Sequence, residues 1–239
     1  MVRLQENPVV TALDTDLQAA GTHCTHCLRR IEPDLSLSLG EESNRFACTF
    51  CSKACLVANK SQSHSLLFTN DAPLPPEISA GPAPPEALAE RQRVQENFTT
   101  YIKKEGRTTP LLVARYIARQ VALETNKIID SVTKTTPEKS DYMDTEDGGF
   151  QLADHIERLR YLEVVPPKEE HPLLVDVLKN ALPGLENFVL DDRHAILHGK
   201  MAYNVYGVVF GGGRDDKVCA LMSYHPWNTM FICITFRAA

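Results

Sequence analysis

Cys24-Thr25-His26-Cys27, a gap of twenty residues, then Cys48-Thr49-Phe50-Cys51-Ser52-Lys53-Ala54-Cys55, with His64 beyond, is the stretch on which the fold turns. Five of the seven cysteines lie between Cys24 and Cys55. An odd count, tight clustering and no secretory signal argue against a disulfide framework and for a metal. A Cys-x2-Cys turn aims two thiolates at one ion, and Zn²⁺ needs two further nitrogen or sulfur ligands to complete a tetrahedron. The second half offers two pairings, Cys48 with Cys51 or Cys51 with Cys55. Residues four apart share one side of a helical turn, so Cys51 and Cys55 can reach the same ion. The expected role is structural, a zinc that staples residues 20–68, which carry few large apolar side chains. His23 and His26 interleave the first pair and could compete as ligands, but are expected at the rim, donating to backbone carbonyls.

Outward from this stretch, the chain reads as mostly helical. Residues 71–85 hold six of the fifteen prolines and form an extended spacer. Helices are expected over Glu86–Glu105, opened by Pro84-Pro85 and closed at Gly106, and from Thr109-Pro110 onward, where Leu112, Val113, Tyr116, Ile117, Gln120 and Val121 follow a helical period. Residues 134–149 read as a solvated loop. Further helices are expected over Phe150–Leu162, Pro172–Ala181 and Glu186–Ala195, punctuated by Pro166-Pro167 and Pro183-Gly184. Strand candidates are Asn7–Leu13 and Lys200–Phe210. The fold class expected is α+β, mostly helical.

Composition narrows the function classes. The chain has 239 residues, 43% hydrophobic and 23% charged, which is enough to bury a core. With 25 basic and 31 acidic residues the formal net charge is −6, which disfavours nucleic acid and anionic lipid as partners. No apolar run reaches the length of a membrane span and no secretory signal opens the chain, so a cytoplasmic or nuclear location is expected. Gly211-Gly212-Gly213 lacks the residues of a phosphate loop. His194 and His198 are spaced i, i+4 without the glutamate of a metalloprotease helix, and Asp191-Asp192 reads as a solvated helix edge.

Cys24-x2-Cys27, Phe50-Cys51-Ser52-Lys53-Ala54-Cys55 and Gln62-Ser63-His64 together resemble the MYND zinc finger as it is inserted into fungal SET-domain proteins. The flanks are similar to the same family: Glu6–Leu13 looks like the SET strand entering the insert, and Leu197–Gly207 like the return to the sheet. The resemblance implies a partial split SET β-fold with residues 1–19 as its N-terminal strand region, a MYND-like finger over 20–68, a proline-rich linker over 69–85, and a helical SET insert with return strand over 86–217. It implies S-adenosylmethionine-dependent protein lysine methyltransferase activity, with histones among the possible substrates, and MYND fingers commonly bind short proline-containing peptides.

The chain departs from the family in ways that bear on activity. The Gly-x-Gly strand, the Asn-His-Ser-Cys segment and the late tyrosine that hold the cofactor are missing, and only Asn204 matches a cofactor-proximal position. Methyl transfer is therefore not expected of this chain, and a zinc-stapled interaction module without catalysis is the alternative. A full MYND finger has two zinc sites from seven cysteines and one histidine. By correspondence Cys24, Cys27, Cys51 and Cys55 form one complete site, while Cys48 and His64 are remnants of a second that has Phe68 where a cysteine would stand. Sequence-specific DNA binding is disfavoured for want of a basic recognition helix. Residues 218–239 lose the resemblance abruptly, which suggests translated non-coding sequence that packs poorly, the alternative being an authentic buried strand over Phe231–Phe236 with good β-propensity; the partial SET sheet is expected to expose apolar edges at Val205, Val208, Val209 and Phe210.

Overall fold

A computed structural model describes residues 9–39, 46–76, 79, 81–133, 156–190, 192–210 and 233–238. Strand β1 (Thr11–Leu13) runs into helix α1 (Thr15–Ala20), whose first turn is capped by the Asp14 carboxylate accepting from the amide of Asp16. Gly21, at φ +63°, ends it in the left-handed conformation. A short antiparallel ribbon pairs β2 (Leu37–Ser38) with β3 (Thr49–Phe50), Leu37 opposite Phe50. Ser52 then caps α2 (Lys53–Asn59). That helix continues through a π-turn, Lys60–His64, into α3 (Ser65–Phe68), making one unbroken rod.

The helical region follows the periodicity closely. Helix α4 (Pro85–Glu105) has proline in its first turn and Gly106 at φ +61° after its last. Helix α5 (Thr109–Thr133) is buried on all sides from Leu111 to Ala118, which makes it the axis of the molecule. Its Arg115 and Arg119 guanidinium groups donate to the carbonyls of Thr11 and Val9, tying the axis to β1. Helix α6 (Glu170–Ala181) packs on α4, and α7 (Arg193–Asn204) packs on α5. Strands β4 (Val205–Phe210) and β5 (Cys233–Ala238) complete a parallel three-stranded sheet in the order β1-β5-β4.

Four expectations are corrected. Lys200–Asn204 is helical, and the strand begins only at Val205. The expected Glu186–Ala195 helix is a 3₁₀ turn over Leu185–Val189, and α7 starts afresh at Arg193. Of the expected Phe150–Leu162 helix, residues 150–155 lie outside the described set, and 156–158 are helical before the chain extends from Arg160 to Pro167. The largest difference is the tail. Its strand β5 lies at the centre of the sheet, with Ile234 opposite both Thr11 and Tyr206 and Phe236 opposite both Leu13 and Val208. Alternating β-branched and aromatic residues suit a strand paired on both sides. The loop at 134–149 and the triple glycine lie outside the described residues, as do the side chains of Val208, Val209 and Phe210.

The finger is not a separate body. Phe46, Cys48, Phe50, Leu67 and Phe68 belong to one continuous core with Phe98, Ile102, Leu111 and Ile117 of α4 and α5. Arg91 of α4 reinforces the join by donating to the carbonyls of Ser65, Leu66 and Asp71. Among the described residues, no helix is long and apolar enough to cross a membrane.

Candidate metal centre

The first cysteine pair sits on a tight hairpin. The Cys24 amide donates to the Arg29 carbonyl and the Leu28 amide to the Cys24 carbonyl, each at 2.8 Å, and Leu28 adopts φ +65° to close the turn. This fold-back turns the amides of His26 and Cys27 toward the Cys24 sulfur, where the Cys51 amide joins them from the second half. The second pair is placed by the start of α2. Cys51 precedes the Ser52 cap, and the Cys55 amide donates to the Ser52 hydroxyl at 3.2 Å. Cys51 is thus outside the helix, and the cap, not a full helical turn, sets its spacing from Cys55.

A second hairpin element locks the two halves together. The Thr25 amide donates to the Thr49 carbonyl and the Thr49 amide returns a bond to the Thr25 hydroxyl. Gln18, buried, donates from Nε2 to both the Thr25 hydroxyl and the Ala47 carbonyl. Nothing in the spacing of Gln18 or Thr25 marked them as supports. They hold a strained turn, since Ala47 sits at φ +50° without being glycine.

The four sulfurs of Cys24, Cys27, Cys51 and Cys55 lie within 4.8 Å of one another. The Cys27 and Cys51 sulfurs are 3.5 Å apart and those of Cys51 and Cys55 3.6 Å. A tetrahedral ion with Zn–S bonds of ~2.3 Å requires sulfur separations of about 3.8 Å, so the cluster brackets the required size. These contacts are far too long for a disulfide, and all five cysteines from Cys24 to Cys55 are free thiols. Four thiols of this geometry could hold a metal ion such as zinc.

The thiols are not equivalent without metal. Burial disfavours the Cys24 thiolate, but the backbone amides donating to its sulfur outweigh that and lower its pKa. Burial raises Cys27 and Cys55 above the ordinary thiol range. An incoming cation therefore displaces the Cys24 proton more readily than those of Cys27 and Cys55.

The remaining sequence-predicted residues fall elsewhere. Cys48 and His64 are both buried and face each other, with Cys48 Sγ 3.6 Å from His64 Nδ1, outside the four-sulfur group. His23 pairs through Nδ1 with the Thr22 hydroxyl, and His26 stands near Arg115 and Arg119; neither is in the cluster. Asn204 donates from Nδ2 to the carbonyls of Arg160 and Lys200, at 2.9 and 2.7 Å. His194 and His198 meet a partner that no motif announced, Glu170 at the start of α6. Comparison of the whole chain with family models, curated proteins and solved structures returns no significant match.

Proposed function

We infer that this chain is a zinc-stapled protein-interaction module of the SET–MYND kind that does not itself transfer methyl groups. The observation that carries the reading is the four-thiol cluster. A catalytic zinc keeps one coordination position open for water or substrate, whereas four protein sulfurs close the shell and make the ion structural. The Asn204 amide is engaged by two backbone carbonyls, which leaves it poorly disposed to receive a cofactor. Methyl transfer also needs a sulfonium and a neutral amine held in line inside a dry channel.

The partner this reading favours is a short proline-containing peptide. A cleft of about 370 Å³ runs beside the finger, between Lys60–Gln62 with Ser65, Pro73–Pro76 and the Ala118, Val121 and Ala122 face of α5. Its lining mixes apolar side chains, Leu66, Leu74 and Val121 among them, with the polar Gln62 and Asn126, which could meet the backbone of an extended ligand.

Calorimetric titration of the zinc-loaded chain with S-adenosylmethionine tests the reading, run beside a labelled-methyl assay on histones. No binding heat and no transfer above a no-enzyme control are expected. Saturable cofactor binding would replace this function with the methyltransferase one. In parallel, proline-containing peptides should bind the wild type and lose binding in Ala122→Glu.

A further inference from the structure

We propose that the four-thiol cluster is a peroxide-sensitive switch, in which Cys27 and Cys51 couple to a disulfide and the zinc assigned to the cluster is released. The two sulfurs are 3.5 Å apart and both residues are half-buried, whereas Cys24 and Cys48 are fully buried. Peroxide therefore reaches the pair from solvent without opening the core. Cys51 also lies 3.6 Å from Cys55, so the backbone decides the partner. Cys27 sits on the hairpin turn and Cys51 ahead of the Ser52 cap, neither inside a helix or strand. Cys55 is held in the first turn of α2 with its amide bonded to the Ser52 hydroxyl, and a bridge from it to Cys51 would pull against that cap. Shortening the Cys27–Cys51 separation by about 1.5 Å gives a disulfide and leaves the hairpin bonds and the cap in place.

One peroxide suffices. The Cys51 thiolate attacks it, forming a sulfur–oxygen bond as the oxygen–oxygen bond breaks and hydroxide leaves. The Cys27 thiolate then displaces a second hydroxide from that sulfur to form the disulfide, and two protons convert the hydroxides to water. The two sulfurs lose two electrons between them and the peroxide gains them. Cys24 and Cys55 remain as thiolates, half the set that closes a tetrahedral shell and too few to retain a structural ion. The finger keeps its place, because the new bond spans the same two halves that the four thiols join. Phe46, Phe50, Leu67 and Phe68 stay packed in the core shared with α4 and α5. A metal staple is exchanged for a covalent one, and thiol reductants reverse the exchange. The switch requires the zinc-stapled reading above, which zinc content before treatment tests separately.

The test adds hydrogen peroxide to the full zinc-loaded chain beside a chromophoric chelator, followed by non-reducing digestion and mass spectrometry. The expected result is loss of the bound zinc, a linked peptide pair carrying Cys27 and Cys51, and an unchanged far-ultraviolet circular dichroism spectrum. Dithiothreitol with added zinc should restore metal binding. Cys27→His offers a nitrogen ligand in place of the sulfur and should keep its zinc under the same treatment, while Cys55→His should still form the bridge and lose it. If neither variant folds, the mapped bridge and its reversal in the wild type decide the matter. Zinc retained by the wild type in excess peroxide, a bridge between any other pair, release equal in Cys27→His, or release that dithiothreitol does not reverse would overturn the proposal. An untreated chain that binds no zinc would remove the zinc-stapled reading and the switch with it.

Discussion

The Cys48 thiol lies 3.6 Å from Nδ1 of His64, yet neither residue reaches the four sulfurs of the metal centre. What surrounds this pair is aromatic. Phe46 and Phe68 stack with centroids 5.0 Å apart at 17°, the His64 ring is 5.6 Å from Phe68, and the Arg115 guanidinium lies 5.8 Å from the Phe46 ring centroid. The pair lies within the core. Phe68→Ala should therefore destabilise the protein by about 3–5 kcal/mol through lost burial and a cavity. Cys48→Ala should leave the zinc content unchanged, as elemental analysis would check. Loss of zinc in Cys48→Ala would mean that the pair still serves the metal.

Cys48 also sets an alkaline limit. Burial pushes its thiol up to about 11 from 9.0, against the opposing pull of the Arg115 charge and a hydrogen bond with Thr25. In the unfolded chain the thiol ionises first, so above pH 9 the native state binds more protons and stability falls as pH rises. The contribution is intact below pH 9 and is lost between about 9 and 11. Denaturant midpoints across that range should slope less steeply in Cys48→Ala than in the wild type.

Gly199 reverses a common rule. Alanine usually stabilises a helix relative to glycine by about 1 kcal/mol. Here a Cβ would meet the Leu162 carbonyl oxygen at 2.1 Å, because the extended 160–167 segment crosses α7 at this point and the Leu162 amide donates to the Gly199 carbonyl. Gly199→Ala should cost about 1–3 kcal/mol instead, and a thermal melt would show it.

The tail carries a prediction of its own. Because β5 separates β1 from β4, deleting residues 233–239 removes the only pairing between them seen among the described residues. The shortened protein should aggregate or melt early, since two unpaired strand edges are left. A deletion variant as soluble and stable as the parent would show that the tail is dispensable.

The cysteine spacing carried the four-thiol cluster, because convergence of thiols on one point is a short-range demand written in residue type and interval. Helices α4, α5 and α6 were legible from their period, prolines and terminal glycines. Three things were not. The β5 strand depends on partners more than two hundred residues away in the case of β1 and about thirty in the case of β4, so its place at the sheet centre leaves no local mark. Lys200–Asn204 has aromatic and small residues compatible with a strand, but Lys200 is held in the helix by its ammonium donating to the Glu157 carbonyl and carboxylate. Glu170 reaches His194 and His198 only through helix packing.

The most direct measurement is X-ray absorption at the zinc edge together with elemental analysis of the purified chain and its Cys24→Ser variant. The account predicts one zinc per chain bound by four sulfurs, and loss of that zinc with unfolding of the finger in the variant, because structural zinc contributes on the order of 10 kcal/mol to small modules. Absence of zinc from the wild type, a nitrogen ligand from His64 in the sulfur-bound ion, or unchanged metal content in Cys24→Ser would contradict it.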